Sequence, residues 1–389
     1  MSNDSNGTVS GSFDPFGPAR AAGGYVGDFN GEVMPVLTRW RDVRAAARDW
    51  QRFSNDGPGR VPVPDETDIR TLRQLPIEID PPAHGDYKAL VKDWFRRPLE
   101  DDDLAARIAS IAQDRIASAL NVGPVEVVAA LCLPIQSHAL AALFGLPASE
   151  AAVWTGWGLH AFKSKGRNDP ARAAALMTMI EGYVDAGRDG DKATFFDHLA
   201  SVRLHGAPLT RDERLGFAHV AFAGGRDTLI HTLSGAMWHL ACHPADLARL
   251  RAEPNLLPRA TEEFVRFFAP LTHIGRICTR PDTVAGVARQ PGERIALCWA
   301  AANFDDTAFD DPTSLRIDRA QNPHVGFGAG DHACLGAAHA RAVIRAALSA
   351  VATHVARIDL IHANPGTRDI GGIERPQGFT RLDLAFHSH

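Results

Sequence analysis

Apolar side chains recur at steps of three and four residues along most of the chain between about residue 40 and residue 270. Breaks rich in Pro, Gly and Asp separate these runs, which is the pattern of amphipathic helices joined by turns. The spacing predicts helices over residues 40–50, 84–97, 102–120, 126–145, 148–163, 169–186, 192–204, 210–242, 244–252 and 256–268. Glu100 and the three Asp residues after it begin one such run, and we interpret them as a helix cap rather than a metal site.

The pattern changes at about residue 272 to short β-like runs separated by Pro-Asp and Pro-Gly turns, up to about residue 300. A further helix is predicted after residue 334, ending near residue 354, and segment 368–386 has the pattern of a loop and a strand. There is no internal repeat and no Pro/Ser-rich linker, so we predict a single large domain over residues 16–389, mainly α with small β-sheets. Residues 1–15 are mostly polar, and we expect a disordered N-terminus.

The composition argues against several classes of partner. A formal net charge of -5 gives no basic surplus for phosphate binding, so we expect no nucleic-acid partner. The N-terminus does not have the pattern of a signal peptide, and no uncharged apolar run approaches the roughly 20 residues that cross a bilayer, so we expect no membrane association. The five Cys residues are widely spaced and form no CxxC, which argues against a disulfide framework and favours a cytoplasmic location.

One cysteine differs from the others in its setting. Cys334 lies in the segment Phe-Gly-Ala-Gly-Asp-His-Ala-Cys-Leu-Gly, which runs from Phe327 to Gly336 and precedes an apolar helical run. The glycines allow a tight turn and a close approach to a flat ligand, and a helix N-terminus favours an anionic sulfur. The alternative is a buried structural Cys in a Gly-rich turn. A dinucleotide-binding loop is not indicated, because Ala333 stands where its third glycine would be.

This segment resembles the signature of the cytochrome P-450 family, Phe-Gly-x-Gly-x-His/Arg-x-Cys-x-Gly, at every specified position. The resemblance implies the cytochrome P-450 fold and haem b (iron protoporphyrin IX), with Cys334 as the ligand of the iron and Phe327, His332 and Gly336 around the haem. A thiolate ligand pushes electron density toward dioxygen and promotes cleavage of the O–O bond. The expected activity is monooxygenation of a small organic substrate.

A second motif interrupts the apolar run 210–242. Two glycines and a Thr within the segment from Gly224 to Thr228 disfavour a regular helix and invite a bulge. The segment resembles the family's Ala/Gly-Gly-x-Asp/Glu-Thr motif, on the helix that crosses the distal haem face. The resemblance places Gly224 beside the haem, gives Thr228 a hydrogen bond to dioxygen or an adjacent water, and makes Asp227 a proton relay. Leu229 follows the Thr, where many relatives have a second hydroxyl residue.

Glu263 and Arg266 have the i, i+3 spacing that usually forms a solvated salt bridge of small energetic effect. They also match the Glu-x-x-Arg motif of the family, in which the pair is buried and ties its helix to the loop before the Cys ligand. The resemblance therefore gives Glu263 and Arg266 a structural role in positioning the haem.

The two propionates of a buried haem require cations or other donors. The segment from Asp80 to Lys88 resembles the family's DPPxHxxxR segment, in which His84 and Lys88 would face the propionates. Lys88 replaces the usual Arg, which keeps the charge and loses the bidentate geometry. Arg276 and His332 match the remaining propionate-binding positions.

The resemblance also suggests which residues line the substrate pocket. They come from the loop between the helices at 40–50 and 84–97, from the distal helix, from the segment after residue 270 and from the terminal loop: Phe222, Ala223, Leu271, Thr272, His273, Ile274 and Ile373. Most of these are apolar, which suits a terpenoid, an aromatic or a lipid-like substrate. His273 either meets a polar group of the substrate or turns outward.

No flavin- or iron–sulfur-binding segment remains unassigned, so electrons are expected from another protein. The resemblance implies that this protein is a ferredoxin with its ferredoxin reductase. Five basic residues could form a docking patch for an acidic carrier or an ordinary solvated face: Lys92, Arg96, Arg97, Arg341 and Arg345. A peroxide-driven peroxygenase and a non-catalytic haem-binding sensor remain as alternatives to the monooxygenase. His239, Cys242 and His243 could also form a metal-binding face, although cations suit the end of a long helix.

Overall fold

The structure of the protein is a computed structural model that describes residues 13–159, 163–164, 167–191 and 193–389. Its α-helices are α1 (Gly17–Ala22), α2 (Trp40–Ala46), α3 (Ala83–Glu100), α4 (Asp102–Ala119), α5 (Leu133–Phe144), α6 (Ala148–Gly156), α7 (Pro170–Ala186), α8 (Phe195–Ser201), α9 (Arg211–Gly224), α10 (Asp227–Cys242), α11 (Pro244–Ala252), α12 (Leu257–Phe268), α13 (Trp299–Ala302) and α14 (Ala337–His354). A π-helical turn, Val128–Cys132, leads into α5, and a 3-10 turn, Pro254–Leu256, leads into α12.

The strands are short except for the last two. They are β1 (Tyr25–Phe29), β2 (Glu32–Leu37), β3 (Phe53–Ser54), β4 (Pro124–Glu126), β5 (Lys163–Ser164), β6 (Arg167–Asn168), β7 (Arg203–Leu204), β8 (Ala207–Pro208), β9 (His273–Cys278), β10 (Asp282–Val284), β11 (Val287–Arg289), β12 (Arg294–Cys298), β13 (Arg357–Asp369) and β14 (Glu374–His387). A five-stranded sheet has the order β1-β2-β12-β9-β3, in which β12 is parallel to β2 and the other pairs are antiparallel.

The helices form because their apolar stripes are buried together and their ends are capped. Asp101 caps α4 by accepting a hydrogen bond from the backbone N–H of Leu104 at 3.0 Å, so the predicted helix cap in the acidic run is confirmed. Thr210 and Glu213 form a capping box at the start of α9. The main core lies between the helices, and two smaller cores lie on the five-stranded sheet. The prediction of a mainly α domain with small sheets is confirmed.

The predicted helix over 210–242 is two helices. α9 ends at Gly224 and α10 begins at Asp227, with Arg226 between them at φ -106° and ψ -81°, outside the helical region. The amphipathic period continues across the break, so the sequence pattern does not show it. Gly224 and Gly225 do indicate the break, because two glycines disfavour a regular helix.

The predicted disordered start at residues 1–15 is too long. Residues 1–12 lie outside the described residues, whereas Phe13 packs on Trp238, Phe267 and Phe268 with ring centroids 5.7, 5.3 and 5.5 Å apart. Asp14 pairs with Arg20 at 2.7 Å. The chain is therefore ordered from residue 13, because an aromatic ring there completes the core.

β1, β2 and β13 are among the strands that the sequence prediction did not include. β1 and β2 precede the first predicted helix, and β13 pairs along nearly its whole length with β14. The loop predicted at the start of segment 368–386 is the turn of this terminal hairpin, with the end of β13. No helix in the described part of the chain is long and apolar enough to cross a bilayer.

Candidate functional site

The loop that precedes α14 presents Cys334. The backbone N–H of Cys334 donates to the carbonyl of Phe327 at 2.8 Å, which closes the loop. Gly328 and Gly330 have φ of +74° and +75°, in the left-handed region that favours glycine. A Cβ on Gly330 would also lie 2.9 Å from Cγ of Arg48 and 3.0 Å from the carbonyl oxygen of Ala47. Loop conformation and packing therefore both require glycine here.

The sulfur of Cys334 opens onto an internal cavity. Part of the surface of Cys334 is accessible, although the thiol is buried within the protein. This accessible surface therefore faces the cavity and not bulk water. Burial raises the pKa of this thiol, while the backbone N–H groups of Gly336 and Ala337 and the charge of Arg341 lower it. A bound metal cation reverses the effect of burial and holds a coordinating thiol deprotonated. The donor set fits an iron ligand.

The cavity has a volume of about 430 Å³, and its walls come from both halves of the chain. It is bounded by the Cys334 loop and α14, by the loop between β3 and α3, by α5, by the α9–α10 segment, by β9 and by the terminal hairpin. The predicted residues Phe327, His332 and Gly336 lie on its wall, as do Gly224, Asp227 and Thr228.

Four basic residues meet on this wall: His84, Lys88, Arg276 and His332. Arg276 is 2% exposed, and burial lowers its pKa to about 10. Burial, with the nearby charges of Arg276, His84 and Lys88, lowers the pKa of His332 to about 2. Neither ring nitrogen of His332 has a hydrogen-bond partner among the residues described, and its ring lies 4.2 Å from that of His84.

Such a group of buried donors is unfavourable without anions, because each buried polar or charged group requires a partner. The two carboxylates of a haem would supply these partners. Lys88 already donates through Nζ to the carbonyl of Asp331, within the Cys334 loop. The residues present therefore fit haem propionates, in addition to fitting its iron.

The α9–α10 break forms another part of the wall. A Cβ on Gly224 would meet no atom within 4 Å, so the backbone there is bare, whereas one on Gly225 would lie 2.8 Å from the carbonyl oxygen of Ala221. Thr228 donates through Oγ1 to the carbonyl of Gly224 at 3.0 Å. Arg226 is buried and donates to the carbonyls of Trp154, at 2.7 Å, and Gly158.

Asp227 lies within the electrostatic reach of two cations, one buried and one half-buried. Its carboxylate attracts Arg226, its neighbour in the chain, and Arg368 from β13, and it thereby offsets part of the effect of burial, which lowers the pKa of both guanidinium groups. The break in the helix thus carries a carboxyl and a hydroxyl on adjacent residues of the cavity wall.

Glu263 and Arg266 are fully buried and joined by two hydrogen bonds of 2.8 Å. Arg266 also donates to the carbonyl of Asn303 at 2.8 Å, and the Asn303 side chain accepts from the backbone N–H of Val325 at 2.8 Å. Glu263 accepts a further bond from Arg319 at 2.9 Å. The pair links α12 to the chain before the Cys334 loop, as the resemblance implies, and it is not a solvated salt bridge.

The predicted substrate-pocket residues divide into two groups. Ala223, Leu271, Thr272, His273 and Ile274 line the cavity. Phe222 does not: its ring packs against Trp154 and Phe144, with centroids 4.8 and 5.1 Å apart, in the core between helices. Ile373 packs beside the β1–β2 sheet, and the hairpin reaches the cavity instead through Arg368, Asp369, Ile370 and Gln377.

His273 turns inward. It is 4% exposed, its Nε2 lies 3.0 Å from the hydroxyl of Tyr25, and burial holds its pKa well below the ordinary value. Because the Tyr25 hydroxyl donates to the carbonyl of Ile370 at 2.9 Å, it accepts from Nε2 of His273. The neutral imidazole therefore carries its proton on Nε2.

Several cavity residues were missed from the sequence. Gln74 lines the cavity and bonds to Nδ1 of His219 on α9 at 2.8 Å, and His339 is a buried residue of α14 on the same wall. Arg368 and Gln377 were missed because the terminal segment was predicted as a loop and a strand, without the pairing that brings both residues to the cavity. No local motif marks any of the four.

The alternative metal face at the end of α10 is not formed in the described residues, where no three His, Cys, Asp or Glu side chains could hold an ion. Instead, Nε2 of His239 pairs with Asp246 at 2.8 Å, and Nδ1 of His243 lies 3.0 Å from the His239 carbonyl. Of the predicted docking residues, three are paired within the chain, Arg96 with Glu100, Arg97 with Asp101 and Arg341 with Glu262, while Lys92 and Arg345 are exposed.

Comparison with known proteins agrees with this geometry. The family model described as "Cytochrome P450" matches residues 173–354. The cyclomarin C epoxidase CymV of Salinispora arenicola is 29% identical over 91% of this chain and 91% of its own length, and the pentalenic acid synthase of Streptomyces avermitilis is 28% identical over 90% and 89%.

A solved structure described as that of a carbohydrate active P450 superposes with a TM-score of 0.93 and 36% identity, covering 97% of this chain and 98% of that one. The relatives of this chain include an epoxidase, a hydroxylase and a monooxygenase, so the chain is an oxidoreductase that incorporates one oxygen atom. Together with the Cys334 loop, the four basic residues and the α9–α10 break in one cavity, this likeness shows that the chain belongs to the cytochrome P450 family.

Proposed function

We propose that this chain binds haem b through Cys334 and oxidises a small organic substrate with dioxygen, receiving electrons from a separate ferredoxin and its reductase. One observation carries the proposal: a single cavity is lined by the buried sulfur of Cys334, by four basic residues and by the adjacent pair Asp227 and Thr228. When bound, the haem supplies the activation of dioxygen and the transfer of one oxygen atom. We place the reaction in the cytoplasm, in keeping with the five unpaired Cys residues.

The chain itself binds, orients and moves protons. The Cys334 loop fixes the sulfur by its backbone bond to Phe327, and Arg276, with Lys88, orients the cofactor through charge. Thr228 holds a proton on Oγ1 beside the bare backbone of Gly224. Asp227 lies beside the guanidinium groups of Arg226 and Arg368 and exchanges protons with water entering at the helix break.

This carboxyl–hydroxyl pair supports a dioxygen-using enzyme over a peroxygenase, which receives its protons with the peroxide, and over a sensor, which needs no proton relay. Lys92 on α3 and Arg345 on α14 are exposed, and these two helices flank the Cys334 loop. This position supports electron delivery from a separate protein. Charge of this kind directs an acidic carrier mainly through the association rate.

The substrate is a small molecule. Apolar side chains from α5 and α9 on the wall, including Leu140, Leu143 and Phe217, support the sequence-based expectation of a largely apolar substrate. The carbohydrate active relative, at 36% identity, supports a second candidate, a molecule that carries hydroxyl groups.

The test is spectroscopic. The purified chain, loaded with haem and reduced under CO, should give the absorption band typical of thiolate-ligated haem, and Cys334→Ala should abolish it. Cys242→Ala, which changes a partly exposed thiol at the end of α10, is the matched control and should leave the band unchanged. A thiolate-type band that survives in Cys334→Ala would overturn the ligand assignment. Product formation with ferredoxin, its reductase and NAD(P)H, compared with formation from peroxide alone, separates the monooxygenase from the peroxygenase.

A further inference from the structure

The terminal hairpin brings three polar side chains to a cavity whose helical walls are mainly apolar. Arg368 and Asp369 end β13, and Gln377 lies on β14. We call Arg368, Asp369 and Gln377 the hairpin patch. Arg368 interacts with Asp227 through charge. In the described part of the chain, however, the side-chain hydrogen bonds of the patch go to Val63, Gly372 and Pro270, and none goes to Cys334, to the four basic residues or to Thr228, so the place of the patch on the wall requires a separate reason.

Arg368 is the donor of the patch. It is half-buried, and its Nη2 donates to the carbonyl of Val63 at 3.3 Å. A guanidinium carries five N–H groups in a rigid fork. The remaining N–H groups have no hydrogen-bond partner among the residues that the structure describes, although the group has been largely withdrawn from water. Partly desolvated donors of this kind gain most from a ligand that accepts hydrogen bonds.

The other two members supply acceptors. Nε2 of Gln377 donates to the carbonyl of Pro270, which fixes the orientation of the amide and leaves Oε1 as an acceptor. Asp369 accepts at Oδ1 from the backbone N–H of Gly372 at 2.7 Å and is a carboxylate with further lone pairs. The patch therefore provides both donors and acceptors among the residues that line the cavity.

The charge balance distinguishes between ligand classes. The positive charge of Arg368 already interacts favourably with Asp227 across the cavity wall, and Asp369 is its neighbour in the chain. A substrate carboxylate would compete with Asp227 for this cation and would be repelled by Asp369. Uncharged hydroxyl groups are not repelled, and each can donate to one member of the patch while it accepts from another.

We propose that the hairpin patch selects an uncharged substrate rich in hydroxyl groups, such as a sugar ring, and that Arg368 is its main specificity-determining donor. The proposal rests on the proposed function, because the cavity is a substrate site only in the haem-loaded enzyme. It also changes the substrate expected from the sequence: the apolar walls hold the carbon skeleton, while the hairpin binds the hydroxyl groups.

The experiment measures binding to the haem-loaded enzyme by calorimetry and by the shift of the haem from low to high spin. The hydroxylated probes are the methyl glycosides of glucose, galactose and mannose. Cyclohexyl methyl ether is the counterpart without hydroxyls, and cyclohexanecarboxylate is the charged counterpart. The variants are Arg368→Leu and Arg368→Lys, with Arg357→Leu, an exposed position at the start of the same strand, as control.

We expect at least one methyl glycoside to bind about tenfold more tightly than cyclohexyl methyl ether, as one or two net hydrogen bonds would give. Arg368→Leu should remove this preference and leave the affinity for the ether unchanged. Arg368→Lys should keep a small part of the preference, because the charge remains without the fork, and Arg357→Leu should keep all of it.

Equal or weaker binding of every glycoside than of the ether would overturn the proposal, as would tightest binding of the carboxylate or a preference that survives Arg368→Leu. Each sample is first checked for the thiolate-type CO band. A sample without the band means that the proposed function fails, whereas a sample with the band and no glycoside preference means that only the substrate class is wrong.

Discussion

Glu263 and Arg266 are joined by two hydrogen bonds of 2.8 Å, and neither side chain is accessible to solvent. Glu263→Gln should lower the free energy of unfolding by roughly 3–5 kcal/mol, because it leaves the charges of Arg266 and Arg319 buried without their carboxylate. Denaturant unfolding of the haem-loaded enzyme measures this change. Asp318→Asn, which breaks the half-exposed pair with Arg249, should cost less than about 1 kcal/mol. Similar losses in the two variants would contradict a role specific to the buried pair.

Thr228→Ala should uncouple electron consumption from product formation. Loss of Oγ1 removes the hydroxyl that stands beside Gly224, so product per electron should fall by about tenfold while peroxide release rises. Both products are measured with a ferredoxin system under air. Ser234→Ala, on the same helix, removes a buried hydroxyl that bonds to the carbonyl of His231 and should leave coupling intact. Unchanged coupling in Thr228→Ala would remove this residue from the proton relay.

Arg276→Leu should weaken haem retention. The buried guanidinium is one of the four basic residues proposed to hold the haem propionates, and its loss would leave a carboxylate in the site without a full partner. We expect haem transfer to apomyoglobin to be accelerated by about tenfold or more, equivalent to roughly 1.4 kcal/mol or more. The rate of haem transfer from Arg276→Lys should lie between the rates of Arg276→Leu and the wild type. Arg280→Leu, at an exposed site after the same strand, provides the baseline.

Gly330 and Gly286 have nearly the same φ but different surroundings, so a comparison of the two separates the effect of backbone strain from the effect of packing. Gly330 and Gly286 have φ of +75° and +79°, but a Cβ on Gly286 would meet nothing within 4 Å. Gly286→Ala should cost about 1–2 kcal/mol of stability from the left-handed conformation alone. Gly330→Ala should cost more and should also reduce the fraction of haem with the thiolate-type CO band, since the Cys334 loop must move away from Ala47 and Arg48. Equal effects on stability and on the band would contradict this account.

Acid should loosen the contact between His219 and Gln74. Burial, with a smaller effect of Arg70, lowers the pKa of His219 to about 4, below its ordinary value of 6.5. The folded state therefore resists protonation where the unfolded chain accepts it. The stability that neutral His219 contributes is complete above pH 6.5 and is lost progressively as the pH falls toward 4.

Between pH 7 and pH 5 the loss should be about 2 kcal/mol. His219→Gln, which keeps an acceptor for Gln74 and cannot titrate, should remove this part of the pH dependence. Denaturant unfolding at a series of pH values measures it. An identical slope in the wild type and in His219→Gln would assign the pH dependence to other groups.

The helical part of the fold was predictable because its signal is local. Apolar spacing located most of the helices, and the acidic run after Glu100 located a helix start. β13 was not predictable in the same way, because Pro365 and Gly366 interrupt it and its pairing with β14 contains three register shifts. Strands of this kind are defined by their partner rather than by their own pattern.

The residues of the site were predictable where a motif specifies them. They were not predictable where the direction of a side chain decides whether it faces the cavity. Cys334, Arg276 and Thr228 line the cavity, and each belongs to a sequence motif that specifies its position. Phe222 and Ala223 were both predicted to face the substrate, but neighbouring residues on a helix point about 100° apart. Only Ala223 faces the cavity, and Phe222 fills the aromatic core. Arg368 reaches the site through a hairpin that has no motif.

The anchoring of Arg226 limits how this enzyme can change over evolution. The guanidinium holds the α9–α10 break to the carbonyls of Trp154, in the last turn of α6, and of Gly158, just after that helix. Both acceptors are backbone atoms, so substitutions in α6 leave them in place, whereas an insertion or deletion displaces them. Lineages can therefore vary the exposed positions of α6 without moving this anchor, but a change in the length of α6 shifts Asp227 even though α6 lies outside the cavity wall.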